Sequence, residues 1–93
     1  MSAGQTVPQA PQAPSSLTAT AASDSRIDLA WQDNAGNEDG FRIEQSTDRT
    51  TFTLGGTVSA NATSFSVTGL SASTTYQFRV RAGNSAGDSA WSN

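Results

Sequence analysis

The sequence predicts an all-β protein, a seven-stranded antiparallel sandwich whose last strand is short or incomplete. Three observations carry this prediction. Apolar residues recur at every second position in several short runs. No stretch holds apolar residues at i, i+3, i+4 and i+7 long enough to make a helix. Clusters of Ser, Asn, Asp and Gly separate the runs at the spacing of sandwich turns.

The elements follow in chain order. Residues 1–13 hold Pro8 and Pro11, and Pro14 follows at the same spacing of three, so the three rings share one face of a polyproline II turn. This segment reads as a semi-rigid N-terminal arm or linker, and the domain as 14–93. No Arg or Lys flanks the prolines to orient them in a proline-binding groove. The first strand is expected over about 16–22, with Leu17 inward. After Ser23-Asp24-Ser25, Ile27, Leu29 and Trp31 alternate with Arg26, Asp28 and Ala30, which predicts a strand over 25–32. Asp33 to Gly40 is a long polar loop. Phe41 and Ile43 alternate with Arg42 and Glu44 in a strand over 40–47. Thr47 to Thr50 is a tight connection into a strand over 51–58, with Leu54 and Val58 inward. Ser59 to Ala62 turn into 63–68, where Phe65 and Val67 face the core. Gly69 to Ser73 turn into 74–83, where Tyr76, Phe78, Val80 and Ala82 alternate with Gln77, Arg79 and Arg81. Gly83 to Ala90 read as an eight-residue loop, and a seventh strand starts near 89.

One combination of residues is specific. Trp31 lies in the second strand, Leu70 stands six residues before Tyr76, and Tyr76-x-Phe78-x-Val80-x-Ala82-x-Asn84 follows. Over about Pro14 to Asn93 the chain resembles the fibronectin type III domain, an immunoglobulin-like sandwich with a tyrosine corner. The run Gly40-Phe41-Arg42-Ile43-Glu44 is similar to the variety found in bacterial secreted and surface proteins. The resemblance implies a structural core that includes Trp31, Leu70, Tyr76, Phe78 and Val80, and a Tyr76 hydroxyl bonded to backbone near Leu70. Two departures stand out. Family members run on for about eight residues past the position of Trp91, where this sequence has Ser92 and Asn93. The Arg-Gly-Asp adhesion tripeptide is absent, because Gly87-Asp88 has no Arg before it, so integrin binding is not carried over.

The residue inventory excludes several chemistries. The 93 residues contain no His, no Cys and no Lys, so no Ser-His or Cys-His nucleophile pair, Schiff-base lysine, disulfide or thiolate zinc site can form. Five arginines against eight acids give a net charge of −3, which argues against a nucleic-acid face. No run of about 18 apolar residues predicts a membrane span. The first 20 residues lack an apolar signal-peptide core, as in a chain whose leader has been removed or that is an excised fragment. A domain of this length offers no deep cleft for a pair of catalytic carboxylates. The chain is expected not to be an enzyme and to need no cofactor.

The candidate surface residues are Phe52, Trp91, Asp33 and Asp39. Phe52 and Trp91 are the aromatics least clearly assigned to the core, and exposed rings can stack on sugars. Asp33, Asn37, Glu38 and Asp39 crowd one loop, but Ala35 breaks the spacing of a calcium loop, so no metal is expected. The loop reads instead as a turn that caps its own backbone. Asn61-Ala62-Thr63 matches a glycosylation sequon, which matters only in a host with that machinery. Twenty-six Ser and Thr residues with no Lys suit a secreted or cell-surface module.

These residues point first to a non-catalytic structural or spacer module of a larger extracellular protein, with neighbouring domains as partners. A second reading is an accessory module that binds polysaccharide or protein through loops 33–40 and 83–90. A third is a self-assembling filament subunit, in which Met1 to Val7 pair with an open edge left by the short last strand.

Overall fold

Seven strands follow one another in a computed structural model that describes residues 9–93. They are β1 (Ser15–Ala21), β2 (Ile27–Gln32), β3 (Gly40–Ser46), β4 (Thr53–Ser59), β5 (Ser64–Val67), β6 (Gln77–Asn84) and β7 (Gly87–Asp88). All pairings are antiparallel, and no helix occurs among the described residues. One sheet has the order β1-β2-β5 and the other β4-β3-β6-β7. The two-residue period of each strand sends one set of side chains into the gap between the sheets.

That gap is filled by Leu29 and Trp31 from β2, Phe41 and Ile43 from β3, Val67 from β5, and Val80 and Ala82 from β6. Leu17, Ile27, Val58, Phe65, Leu70 and Phe78 pack around them. The Trp31 and Phe41 rings meet across the sheets at 5.5 Å between centroids, tilted by 56°. The tilt lies between the offset-stacked and edge-to-face arrangements that aromatic quadrupoles favour, at a separation within their usual range.

Leu54 departs from the alternation. It was expected inward, two steps of two from Val58, yet it is 53% exposed. Val58 pairs with Phe41 and Gly56 with Ile43, but the register then shifts, and Leu54 pairs with Glu44. Gly55 is the extra residue of a bulge, which turns Leu54 onto the outer face. Gly56 has its own constraint: a Cβ there would lie 2.5 Å from Cζ of Phe65, so the ring packs against bare backbone.

The end of the chain also differs from expectation. Gly83 to Ala90 is not an eight-residue loop. Gly83 pairs with Asp88 and Asn84 with Gly87, so only Ser85 and Ala86 form the turn. The seventh strand therefore starts at Gly87, before 89, and β6 starts at Gln77, because Thr74 to Tyr76 belong to the preceding corner. Beyond Asp88 the chain still follows β6. The Ser89 N–H donates to the Ala82 carbonyl at 2.7 Å, and the Ser92 N–H to the Val80 carbonyl at 2.8 Å. In return the Ala82 and Val80 N–H groups donate to the Ser89 and Ser92 hydroxyls, at 2.9 and 3.0 Å. Side-chain oxygens stand where strand carbonyls would be. At Val80 and Ala82, β6 thus does not present the open edge that strand donation was expected to use. The donor segment of that reading, Met1 to Val7, lies outside the described residues.

Candidate functional site

The outer face of the four-stranded sheet carries the densest group of functional side chains. Arg42 and Glu44 alternate outward along β3, and Arg79 and Arg81 do so along β6. The register sets Glu44 opposite Arg79 and Arg42 opposite Arg81. Glu44 is buried, and both carboxylate oxygens are engaged. Oε1 accepts from Nε of Arg79 at 3.0 Å, and Oε2 from Nε of Arg42 at 2.9 Å. Arg79, and then Arg42, hold this carboxyl below the usual range against the opposing effect of burial.

Arg79 is also stacked. Its guanidinium lies 4.0 Å from the centre of the Phe52 ring and 4.0 Å from that of Trp91. Arg81 lies 4.5 Å from Trp91 and bridges to Asp88 at 3.2 Å. Phe52, Arg79, Trp91 and Arg81 form one cation–π group that ties the segment before β4 and the segment after β7 to β6. The fold brings Phe52 and Trp91 together, but around arginines. Ring surface that faces a guanidinium is not offered to a sugar. The arginines are what the sequence reading missed; their signal was the Arg79-x-Arg81 spacing, which places both on one face of one strand.

Asp33 and Asp39 lie elsewhere, at the pole where the 33–40 loop meets the β6–β7 hairpin. Asp33 caps its own loop, its Oδ1 accepting from the Ala35 N–H at 3.0 Å. The Asp39 N–H donates to the Gly83 carbonyl at 2.8 Å. Its residue lines a recess of about 260 Å³ with Arg42, Arg81 and Asp88. Glu38 turns inward, is 7% exposed, and accepts from the Asn61 N–H at 3.2 Å. Among the described residues, no three acidic side chains gather as metal ligands. Loops 33–40 and 83–90 share one pole, and the Asp33 and Glu38 carboxylates of the first are taken by separate backbone N–H groups.

The opposite pole is built around Tyr76. Its hydroxyl accepts from the Ser71 N–H at 3.0 Å, and the Leu70 N–H donates to the Ser25 carbonyl at 3.0 Å. The Tyr76 and Phe78 rings stack at 6.4 Å. Leu70 and Phe78 are half-buried against the core, and Trp31 and Val80 lie within it. Recesses of about 310 and 370 Å³ flank Tyr76, the first lined by Ile27 and Leu70, the second by Ser46 and Asp48. The Asp48 carboxyl is lowered to about 2, mainly by the N–H groups of Thr51 and Thr50 and then by the Ser46 hydroxyl.

Comparison with known proteins agrees with this geometry. The family model for the fibronectin type III domain matches residues 12–93. No curated protein sequence matches the chain. Among solved structures, domains A168–A170 of titin are similar, with a TM-score of 0.78 and 25% identity over 90% of this chain and 30% of theirs. Titin kinase with its flanking domains gives a TM-score of 0.80 and 24% identity, covering 92% of this chain and 16% of that one. Domains FN1–FN3 of chicken CNTN1 give 0.78 and 24%, covering 86% and 29%. The chain thus spans less than a third of the length of each of these structures.

Proposed function

The chain belongs to the fibronectin type III family, and from that premise we propose that it is a non-catalytic structural or spacer module of a larger extracellular or cell-surface protein. Domains of this family are generally non-catalytic and sit among neighbouring domains. The observation that carries the reading is the path of the chain. It comes in at the pole of the 33–40 loop, where the Gln9 carbonyl accepts from Asn37 and Asn84. It runs out antiparallel to β6, past Ala82 at Ser89 and past Val80 at Ser92, toward the Tyr76 pole. A neighbour on each side would be held at opposite ends. The stacked arginines secure the outgoing segment and leave the aromatic rings little free surface. The Lys-free, Ser- and Thr-rich surface supports the extracellular assignment, and the Gly40 to Glu44 run supports a bacterial secreted or surface protein.

A fluorescent protein fused to each end tests the spacer. The eight residues of β6 span roughly 27 Å at ~3.4 Å per residue, and energy transfer should report ends at least that far apart. A narrow distance distribution is expected. Ends that fold back together would refute the reading. The convergence of loops 33–40 and 83–90 on one pole supports a second reading, an accessory module for polysaccharide or protein. Retention on insoluble polysaccharide, lost on changing residues of those loops, would put it first.

A further inference from the structure

We propose that residues 9–14 are not a free tether but a strap, clasped to the domain by Asn34, Asn37 and Asn84, which fixes the direction in which a preceding module is held. The consequence for a neighbour rests on the module reading above; the clasp itself does not.

A proline-rich segment has few ways to be held. Polyproline II has no internal hydrogen bonds, and proline has no N–H to offer a neighbouring strand. With Pro11 and Pro14 lacking N–H groups, the segment has more carbonyls than N–H groups to be held by, and carbonyls need donors. The domain supplies side-chain amides. The Nδ2 groups of Asn84 and Asn37 both donate to the Gln9 carbonyl, at 2.9 and 3.1 Å, so both of its lone pairs are used. The second donor of Asn84 reaches the Asn37 carbonyl at 3.1 Å, which locks the two holders together. Four residues later, Nδ2 of Asn34 donates to the Ala13 carbonyl at 3.0 Å and to the Ser15 hydroxyl at 2.9 Å.

The amide orientations are set by chemistry. Carbonyls can only accept, so the groups facing Gln9 and Ala13 are nitrogens. For Asn84 there is a second check, because its Oδ1 accepts from the Ala86 N–H at 2.8 Å within the hairpin turn. Between the two clasp points the strap is packed as well as bonded. Pro11 and Pro14 are both buried, and Ala10 lies beside Gly87. Proline adds little chain entropy to be lost on ordering, so a few bonds suffice to hold it. The clasp draws on two loops of one pole, Asn34 and Asn37 from 33–40 and Asn84 from the β6–β7 hairpin. The polar residues of that loop therefore have an occupant within the chain.

Backbone 15N relaxation on the full chain tests this directly. Ala10, Gln12 and Ala13 should show order parameters near ~0.85, as rigid as the strands. In an Asn37→Asp, Asn84→Asp double variant the shape is kept and the hairpin acceptor of Asn84 survives, but the donors to Gln9 are gone. The order parameter of Ala10 should then fall below ~0.6, while β2, β3 and β6 stay rigid. An Asn37→Ala, Asn84→Ala pair, which adds no charge, should give the same result. Strand chemical shifts show whether each variant is folded. A mobile Ala10 in the unaltered chain, or an equally rigid one in both folded variants, overturns the clasp. Failure of the spacer reading would appear elsewhere, in the end-to-end separation, with the order of residues 10–13 unchanged.

Discussion

Arg79→Ala should be one of the most damaging substitutions of an incompletely buried residue in this domain. The side chain does three things at once. It neutralises Glu44, which is only 8% exposed, and it stacks on Phe52 and on Trp91. A hydrogen bond to a charged group contributes ~1.5–3 kcal/mol, and Arg42 keeps part of that by holding the other carboxylate oxygen. Each partly exposed cation–π contact adds ~0.5–1 kcal/mol. Together the loss should be about 2–4 kcal/mol, a large share of the ~5–15 kcal/mol typical of a domain. In a domain of this size each kcal/mol moves the melting temperature by ~4–8 °C. Urea unfolding should be followed by circular dichroism as well as tryptophan fluorescence, because Trp91 reports its own surroundings. Arg79→Lys keeps the charge without the flat fork and should fall between the two. A double-mutant cycle with Trp91→Ala isolates the stacking, with an expected coupling of ~0.5–1 kcal/mol. A total loss below about 1 kcal/mol, or no coupling, would refute the role given to the stack.

Trp31→Ala empties the centre of the sandwich and should cost ~3–5 kcal/mol in the same unfolding assay; an unchanged midpoint would contradict its burial. Tyr76→Phe removes the acceptor of the Ser71 N–H and should cost about 1 kcal/mol, at the low end because Ser71 is exposed and water can replace the hydroxyl. The Asp48 carboxyl titrates at about 2 in the folded chain against 3.8 ordinarily. Its stabilisation is therefore complete above pH ~4 and lost as pH falls toward 2, and Asp48→Asn should flatten the melting-temperature profile across that window. A chelator should leave the melting temperature unchanged, since the Asp33 and Glu38 carboxylates are turned to separate backbone N–H groups; a drop of more than a few degrees would promote Asp33 and Asp39 to ligands.

The parts of the fold that were legible are those in which a residue's neighbours in sequence decide its face. Leu29, Trp31, Phe41, Ile43 and Val80 each sit in an unbroken alternation, and each lies in the core. Leu54 fails for the same reason run in reverse. A bulge inserts one residue and inverts every face beyond it in the strand, and it stands beside a contact made across the sandwich, where Phe65 of the other sheet leans on Gly56. The Gly55-Gly56 pair was the visible trace, since glycine in a strand marks a bulge or a close approach.

What was not legible at the candidate site shares one property: a side chain doing the work of a backbone, or a surface residue doing the work of a core. The Ser89 and Ser92 hydroxyls extend the pairing of β6 beyond Asp88, where no periodic pattern would show it. Three asparagine amides take the Gln9 and Ala13 carbonyls of a segment whose prolines break any regular strand pairing. Arg79 and Arg81 read as solvated residues of an outward face, yet one is sandwiched between rings and the other leans on Trp91. In each case the partner is distant in sequence, and the residue type permits many partners. All three devices act where the chain comes into the sandwich or runs out of it. On the spacer reading proposed above, a domain that passes from one pole to the other needs its ends secured more than it needs a cleft, and the placement of these polar side chains fits that reading.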